Sequence, residues 1–255
     1  MGIIPYLESD MSIWGKLAGA AGGFMLGGPL GALLGLAAGH MVDKQAGGGT
    51  TEGPVRGPEA SIAFTVGVIA LSAKMAKADG EVSRSEVDAF KQMLHVPQHE
   101  MKNVGRIFDL ARRDVAGYEA YAKQIARLFS DQPHVLEDLL DGLFRIAMAD
   151  AVFHPGEEEF LRKVAGIFGF GEHDYQRIKA SHLGPDAADP YVILGVSHDA
   201  TDNEIKKTYR QLVKENHPDA LIARGVPEEF IEIATDKIAT INDAYDRIAK
   251  ARGIK

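Results

Sequence analysis

The sequence predicts an all-α protein, and three observations indicate this fold class. Apolar residues in the middle of the chain recur at spacings of three and four, as in Val104, Ile107 and Leu110, which is typical of one face of a helix. No segment shows the sustained apolar–polar alternation of a strand. A capping pattern at Thr201–Glu204 stands where a further helix is expected to begin. We therefore expect helices joined by turns.

The composition excludes several classes of protein. Hydrophobic residues make up 45% and charged residues 25% of the 255 residues, which excludes a wholly disordered chain. The sequence has no cysteine, so disulfides, zinc–thiolate sites and cysteine nucleophiles are excluded. The net charge of −8 argues against a nucleic-acid partner. No nucleophile elbow or phosphate-binding glycine loop is present, so we expect no enzyme activity.

Changes in composition divide the chain into four regions. Residues 1–42 contain a long uncharged stretch, and residues 43–58 hold five glycines and two prolines, which is typical of a flexible tether. Residues 59–185 show helical periodicity, and residues 186–255 carry a second helical pattern. We therefore expect a membrane-inserted segment, a tether, a helical domain and a small C-terminal domain.

The first region includes a stretch that is long enough to cross a membrane. Residues 17–39 contain no charged side chain, and a helix of that length spans about 34 Å, compared with about 30 Å for a bilayer core. Lys16 precedes the stretch and Lys44 and Arg56 follow it, which favours a cytoplasmic location for the C-terminal side. Pro29 argues against a straight helix, although membrane helices tolerate a kink. A soluble glycine–alanine hairpin is the alternative.

Glycine occupies every fourth position of this stretch. The positions are Gly15, Gly19, Gly23, Gly27, Gly31, Gly35 and Gly39. Small residues at this spacing form a stripe along which a second membrane helix can pack closely. We therefore predict a homodimer formed through the membrane helix. The residues predicted to form the contact are Gly19, Gly23, Gly27, Gly31 and Gly35.

The middle region is expected to form a helical domain with an internal repeat. The predicted helices lie near 60–78, 84–94, 98–113, 117–130, 133–149, 155–168 and 172–182. Residues 78–86 align with residues 149–157 at an offset of 71. Each copy contains an Asp and a Glu that are seven residues apart. These pairs are Asp79 with Glu86 and Asp150 with Glu157.

The repeated carboxylates have a structural and a metal-binding interpretation. Ser83 and Glu86 form a capping box, while Pro155 and Glu157 suit the first turn of a helix. The alternative is a divalent cation bound by oxygen ligands. Its candidate ligands are Asp79, Glu81 and Glu86, with Asp150 and Glu157 forming a poorer second site. We expect capping, and therefore no cofactor.

This region resembles the TerB family of tellurite-resistance proteins, whose helical domains carry paired acidic helix–loop–helix segments. The resemblance covers approximately residues 60–183. It implies a link between the acidic loops and metal, because Asp79, Glu86, Asp150 and Glu157 match the family pattern. The second copy departs from the pattern, since Val152 stands where the first copy has Glu81.

The C-terminal domain is expected to begin with a short, capped helix. Asp189 can cap this helix, Pro190 suits its first turn, and Gly195 can end it. The capping box at Thr201–Glu204 opens the next helix, which is expected to continue to about Asn216.

Two longer helices of this domain are expected to pair as an antiparallel hairpin. Pro218 disfavours helix at His217, so the chain is predicted to turn there, and the last helix is expected to begin at Pro227. Its apolar stripe consists of Ile231, Ala234, Ile238, Ile241, Tyr245 and Ile248. The facing helix presents Ile205, Tyr209 and Leu212. The opposite face of that helix carries Lys206, Lys207, Arg210 and Lys214.

This pattern resembles the J domain of DnaJ-type co-chaperones. Four motifs occur in the family order and spacing: Asp-Pro-Tyr to Leu-Gly-Val at 189–196, Ile-Lys-Lys-x-Tyr-Arg-x-Leu at 205–212, His-Pro-Asp at 217–219 and Ile-Asn-Asp-Ala-Tyr at 241–245. The resemblance implies that a DnaK-type ATPase chaperone is the partner. It implies docking of an acidic face of that partner on Lys206, Lys207, Arg210 and Lys214. It also implies that His217, Pro218 and Asp219 trigger ATP hydrolysis.

The order of the regions resembles the DjlA-type membrane-anchored co-chaperones of Gram-negative bacteria. That resemblance implies a single pass through the inner membrane, with the bulk of the chain in the cytoplasm, and dimerisation through the membrane helix. We therefore expect a co-chaperone that recruits and stimulates a DnaK-type chaperone. The alternative is a metal- or stress-sensing envelope protein with the TerB-like region as its sensor and the J domain as its output.

Overall fold

The computed structural model describes residues 58–79, 84–93, 101–113, 117–149, 153–183, 188–223 and 231–254, together with residues 98 and 226. All regular elements in these residues are helices, which confirms the predicted fold class. The predicted membrane segment, with its glycine stripe and nearly all of the tether, lies outside them. Among the described helices, none is both long enough and apolar enough to span a bilayer.

Seven helices of the described chain form the central domain. They are α1 (Pro58–Asp79), α2 (Arg84–Met93), α3 (Met101–Arg113), α4 (Tyr118–Leu128), α5 (Pro133–Ala147), α6 (Pro155–Ile167) and α7 (Glu172–His182). Every helix predicted for the middle region is present, and the ends lie within three residues of the predicted ones. Local signals suffice here, because Pro133 and Pro155 each occupy the first position of a helix.

Helix α1 lies at the centre of this domain. Residues 62–76 are all buried, and α1 contacts α3, α4, α5 and α6. Most of these residues are apolar, and a helix that is apolar on most of its surface is expected in a protein interior. Gly67 permits the close approach, because a Cβ atom there would lie 3.1 Å from Cδ1 of Leu139 and 3.2 Å from Cδ1 of Ile125.

An aromatic cluster connects α5 with the later helices of the domain. Phe144 is fully buried on α5, and its ring centroid lies 5.6 Å from that of Tyr175 and 6.0 Å from that of Phe153. The ring of His182 stacks on Phe144 with the centroids 5.5 Å apart. The cluster therefore fixes α7 against α5.

Replacing Phe144 with alanine is expected to lower the free energy of unfolding by about 3–5 kcal/mol, because a fully buried ring is lost and a cavity remains. Chemical denaturation followed by circular dichroism measures the change. The matched control is Leu183→Ala, since Leu183 is an exposed apolar residue close to the same cluster in sequence. Equal losses of stability in the two variants would contradict the assigned packing.

The C-terminal domain consists of α8 (Pro190–Leu194), α9 (Asp202–Glu215), α10 (Pro218–Ala223) and α11 (Ile231–Arg252). The Oδ1 atom of Asp189 accepts the backbone N–H of Tyr191 at 2.9 Å, as expected for a cap. Gly195 ends α8 in the left-handed conformation, with a φ of 66°. The sequence therefore predicts both ends of this short helix correctly.

Helices α9 and α11 form the predicted hairpin. Their apolar core contains Ile205 from α9 and Ile241 and Ile248 from α11, all buried together with α8. The rings of Tyr209 and Tyr245 stack with their centroids 4.1 Å apart. The hydroxyl of Tyr209 donates to Oδ1 of Asn242 at 3.0 Å. These contacts hold the two long helices in one register.

The structure differs from the sequence prediction after the turn at His217. The short helix α10 begins directly at Pro218, whereas we expected no helix before Pro227. The expected stripe on α11 also divides between two cores. Ile241 and Ile248 join the hairpin core, whereas Ala234 joins the core of the central domain. Helix α11 therefore belongs to both domains.

Candidate chaperone-binding site

The His-Pro-Asp motif forms the exposed turn between α9 and α10. Asn216 caps the end of α9, where its Nδ2 donates to the carbonyl oxygen of Leu212 at 2.8 Å. Pro218 then starts α10, where its lack of an N–H costs no hydrogen bond. The carbonyl oxygen of His217 accepts the N–H of Ala220 at 2.8 Å. The turn is therefore held by its own backbone.

The side chains of this turn are available to a partner. The side chain of His217 is 55% exposed and that of Asp219 is 88% exposed. The N–H of Asp219 donates to Nδ1 of His217 at 3.3 Å, and the carboxylate lies 3.7 Å from the same nitrogen. Because the carboxylate points into solvent, it can accept hydrogen bonds from a donor on another protein.

The predicted basic residues occur along α9, next to the turn. Lys207, Arg210 and Lys214 are exposed, and Lys206 is partly buried. Their spacing of three and four places them along one side of the helix. None of the three exposed residues forms an ion pair with a described residue, so their charges remain available to an acidic surface. The structure therefore places the three exposed basic residues on the helix that ends directly before the His-Pro-Asp turn.

Contacts at the end of the hairpin opposite the turn fix the orientation of α9. At its start, the N–H of Thr201 donates to Oε2 of Glu204 at 2.7 Å, as predicted for a capping box. Backbone and side-chain hydrogen bonds from Thr201 lower the pKa of Glu204. Arg252 of α11 donates to the hydroxyl of Tyr191 at 2.7 Å and to the carbonyl oxygen of Ala200 at 2.6 Å. The basic side of α9 is therefore presented on a rigid support.

Of the candidate ligands in the metal-binding alternative, only Glu157 has a described side chain. Glu157 is buried at the start of α6, where its Oε2 accepts the N–H of His154 at 3.0 Å. This contact is the expected capping interaction. The side chains of Asp79, Glu81, Glu86 and Asp150 lie outside the part of the chain that the structure describes. Within that part, no cluster of three or more His, Cys, Asp or Glu side chains could bind a metal ion.

The sequence prediction missed the helix that follows the turn. In α10, Leu221 is buried whereas Ile222 is 45% exposed beside the His-Pro-Asp motif. A signal was present, because Pro218 at a first helical position, with Asp219 in the first turn, is a typical helix start. An exposed apolar side chain therefore follows the turn, where the motif alone does not indicate one.

Family models match the chain in the order that the sequence predicts. The model of the DjlA co-chaperone transmembrane domain matches residues 11–57, the model of tellurite resistance protein TerB matches residues 65–180, and the DnaJ domain model matches residues 189–252. These matches confirm the predicted transmembrane, TerB-like and J-domain regions.

Curated relatives match over nearly the whole chain. The DjlA co-chaperone proteins of Photobacterium profundum and Coxiella burnetii are each 30% identical, over 95% and 94% of this chain and over 100% and 98% of their own lengths. The DjlA co-chaperone of Vibrio cholerae is 29% identical over 96% of this chain and its own full length. No solved structure matches. The chain therefore belongs to the DjlA family of membrane-anchored co-chaperones.

Proposed function

We propose that the protein recruits a DnaK-type chaperone to the membrane and stimulates its ATP hydrolysis. The observation that carries this proposal is the exposed His217–Asp219 turn beside the basic side of α9, within a DnaJ domain. In this proposal the chain is a regulator of the partner and not itself the ATPase. It acts as a binding surface that favours the hydrolysis-competent conformation of the partner.

The two parts of the site support different steps. Lys207, Arg210 and Lys214 supply positive charge on a protein whose net charge is −8. A local patch of this kind accelerates and orients encounter with an acidic surface. The turn then makes short-range contacts, for which the exposed carboxylate of Asp219 provides the hydrogen-bond acceptor.

Flotation of vesicles tests recruitment directly. The full chain is inserted into liposomes, and the DnaK-type chaperone is added with ATP. We expect the chaperone to float with vesicles that carry the chain and to remain below empty vesicles. A chaperone that stays below both kinds of vesicle would contradict recruitment.

We also propose a single pass through the bacterial inner membrane with residues after 42 in the cytoplasm. The match to a DjlA transmembrane domain and the charges at Lys44 and Arg56 support this orientation. A DnaK-type partner uses ATP, so its docking site must lie on the side of the membrane where ATP is available. Protease added to intact spheroplasts should therefore leave residues 58–255 uncleaved.

The glycine stripe is proposed to hold two copies together in the membrane. Replacing Gly23, Gly27 and Gly31 with leucine should retain insertion, because hydrophobicity increases, but should block close helix contact. Energy transfer between two tagged copies in vesicles is expected to fall towards the level of a non-interacting pair. Gly22 lies off the stripe, so Gly22→Leu serves as the control. Undiminished energy transfer in the triple variant would exclude the stripe as the interface.

A further inference from the structure

A buried lysine connects the J domain to the central domain. Lys237 lies on α11, with only 7% of its side chain exposed. Its Nζ donates to Oε1 of Glu137 at 2.7 Å and to Oδ2 of Asp141 at 2.5 Å, and both acceptors lie on α5. A buried ammonium group is costly unless it is paired and hydrogen-bonded. This position therefore favours one specific arrangement of the two domains.

Two further basic side chains complete the cluster around Lys237. Arg177 of α7 donates to both carboxylate oxygens of Glu137, at 3.0 and 2.6 Å. The Nε2 atom of His182 lies 2.9 Å from Oδ1 of Asp141. Each carboxylate is thus contacted by one residue of its own domain and by Lys237 from the other. We call these five residues the interdomain cluster.

The electrostatics of the interdomain cluster favour its ionised form. Burial alone would raise the pKa of Glu137, but Lys237 and Arg177 outweigh it and lower that pKa. Burial likewise opposes ionisation of Asp141, whereas Lys237 and His182 lower its pKa. Burial would lower the pKa of Lys237, yet Asp141 and Glu137 raise it. The two carboxylates and the ammonium group are therefore charged together at neutral pH.

Apolar contacts beside the cluster fix the segment that follows the His-Pro-Asp turn. Leu221 of α10, Val226 and Ala234 are each at most 3% exposed and belong to the core of the central domain. At the exposed edge of the contact between α5 and α11, Nη1 of Arg145 donates to Oδ2 of Asp236 at 2.6 Å. The central domain thus contacts both ends of the segment between α10 and α11.

We propose that the surface formed by α5 and α7 is a docking surface for the J domain, locked by Lys237, and that the docked form is the one that stimulates the DnaK-type chaperone. This inference rests on the proposed function. Docking leaves Lys207, Arg210 and the carboxylate of Asp219 exposed, while the chain after the turn is anchored. A surface held in its binding conformation loses less conformational entropy when a partner binds.

The test measures the distance between the two domains in the full chain, with labelled chain diluted in an excess of unlabelled chain so that a dimer contains one labelled copy. Because the sequence has no cysteine, Gly166→Cys in α6 and Asp246→Cys in α11 provide two unique spin-labelling sites. Both positions are exposed, and a Cβ at Gly166 would meet no atom within 4 Å. Lys237→Met removes the charge while keeping an apolar stem, and Lys250→Met, at an exposed site on the same helix, is the control.

We expect a single narrow distance distribution for the parent chain and for Lys250→Met, and a broad one for Lys237→Met. We also expect the concentration that gives half-maximal ATPase stimulation to be about tenfold higher for Lys237→Met than for the parent chain. A change of this size is typical of coupling between two sites. Glu137→Gln is a second variant with unchanged side-chain size, and it should broaden the distribution to a smaller extent. Helical content from circular dichroism shows that each variant is folded.

Three results separate the parts of this inference. A narrow distribution in Lys237→Met and in Glu137→Gln would overturn the role of the cluster in docking. A broad distribution with undiminished stimulation would overturn the claim that the docked form is the active one. A narrow distance distribution in the parent chain, with no stimulation of the partner's ATP hydrolysis, would support docking but would contradict the proposed function.

Discussion

Replacing Asp219 with asparagine is expected to abolish stimulation of the partner's ATP hydrolysis. The exchange removes the charge of an acceptor that is 88% exposed and that lies at the tip of the hairpin. Hydrogen bonds to a charged acceptor are about twice as strong as neutral ones, so a partner donor loses about half of its contact energy and the whole of its attraction to a negative charge. Steady-state ATP hydrolysis by the DnaK-type chaperone is measured with the wild-type chain and with the variant.

The fold should survive this exchange. An exposed substitution away from buried contacts usually changes the free energy of unfolding by about 0.5 kcal/mol or less. Asp199→Asn is the matched control, because Asp199 is an exposed aspartate in the same domain but away from the turn. Full stimulation by Asp219→Asn, or an equal loss in Asp199→Asn, would contradict the assigned role of the turn.

Reversing the charge of Lys207 and Arg210 to glutamate is expected to weaken partner binding by about tenfold or more. Both residues are exposed on α9, the helix that precedes the turn, and each reversal replaces an attraction to an acidic surface with a repulsion. The affinity of the wild-type chain should also fall as salt rises, because exposed charges are screened beyond about 10 Å at 0.1 M salt. Binding is measured by surface plasmon resonance at several salt concentrations.

A control with the same change in net charge tests whether position matters. Lys102→Glu with Lys123→Glu reverses two exposed lysines on the central domain. We expect this pair to leave the affinity nearly unchanged, because neither lysine lies on α9. Similar losses for both double variants, or no salt dependence in the wild type, would show that the basic side of α9 is an ordinary solvated surface.

The parts of the fold that the sequence predicts well are those with local causes. Helix α9 begins where Thr201 and Glu204 form the reciprocal hydrogen bonds of a capping box, and α8 ends where Gly195 adopts a left-handed conformation. Both signals act within four residues, so the sequence pattern is enough to place them. The J domain could be identified from its motifs for a similar reason, because the spacing of those motifs along the chain follows from the geometry of a single hairpin.

The interdomain cluster could not be predicted in this way. Lys237 precedes Ile238 on α11, and a lysine at that position in a helical pattern normally indicates a solvated face. Its partners Glu137 and Asp141 are 100 and 96 residues away in sequence. Only the packing of α11 against α5 brings these charges together, and helical periodicity contains no information about such pairing.

The most direct test of the central claim is single-turnover ATP hydrolysis by the DnaK-type chaperone. The chaperone is loaded with ATP and mixed with increasing amounts of liposomes that carry the full chain. We expect the hydrolysis rate constant to rise with the amount of chain and to reach a plateau, and we expect higher salt to raise the amount needed for the half-maximal rate. A rate constant that stays at the level of empty liposomes at every concentration would contradict the account.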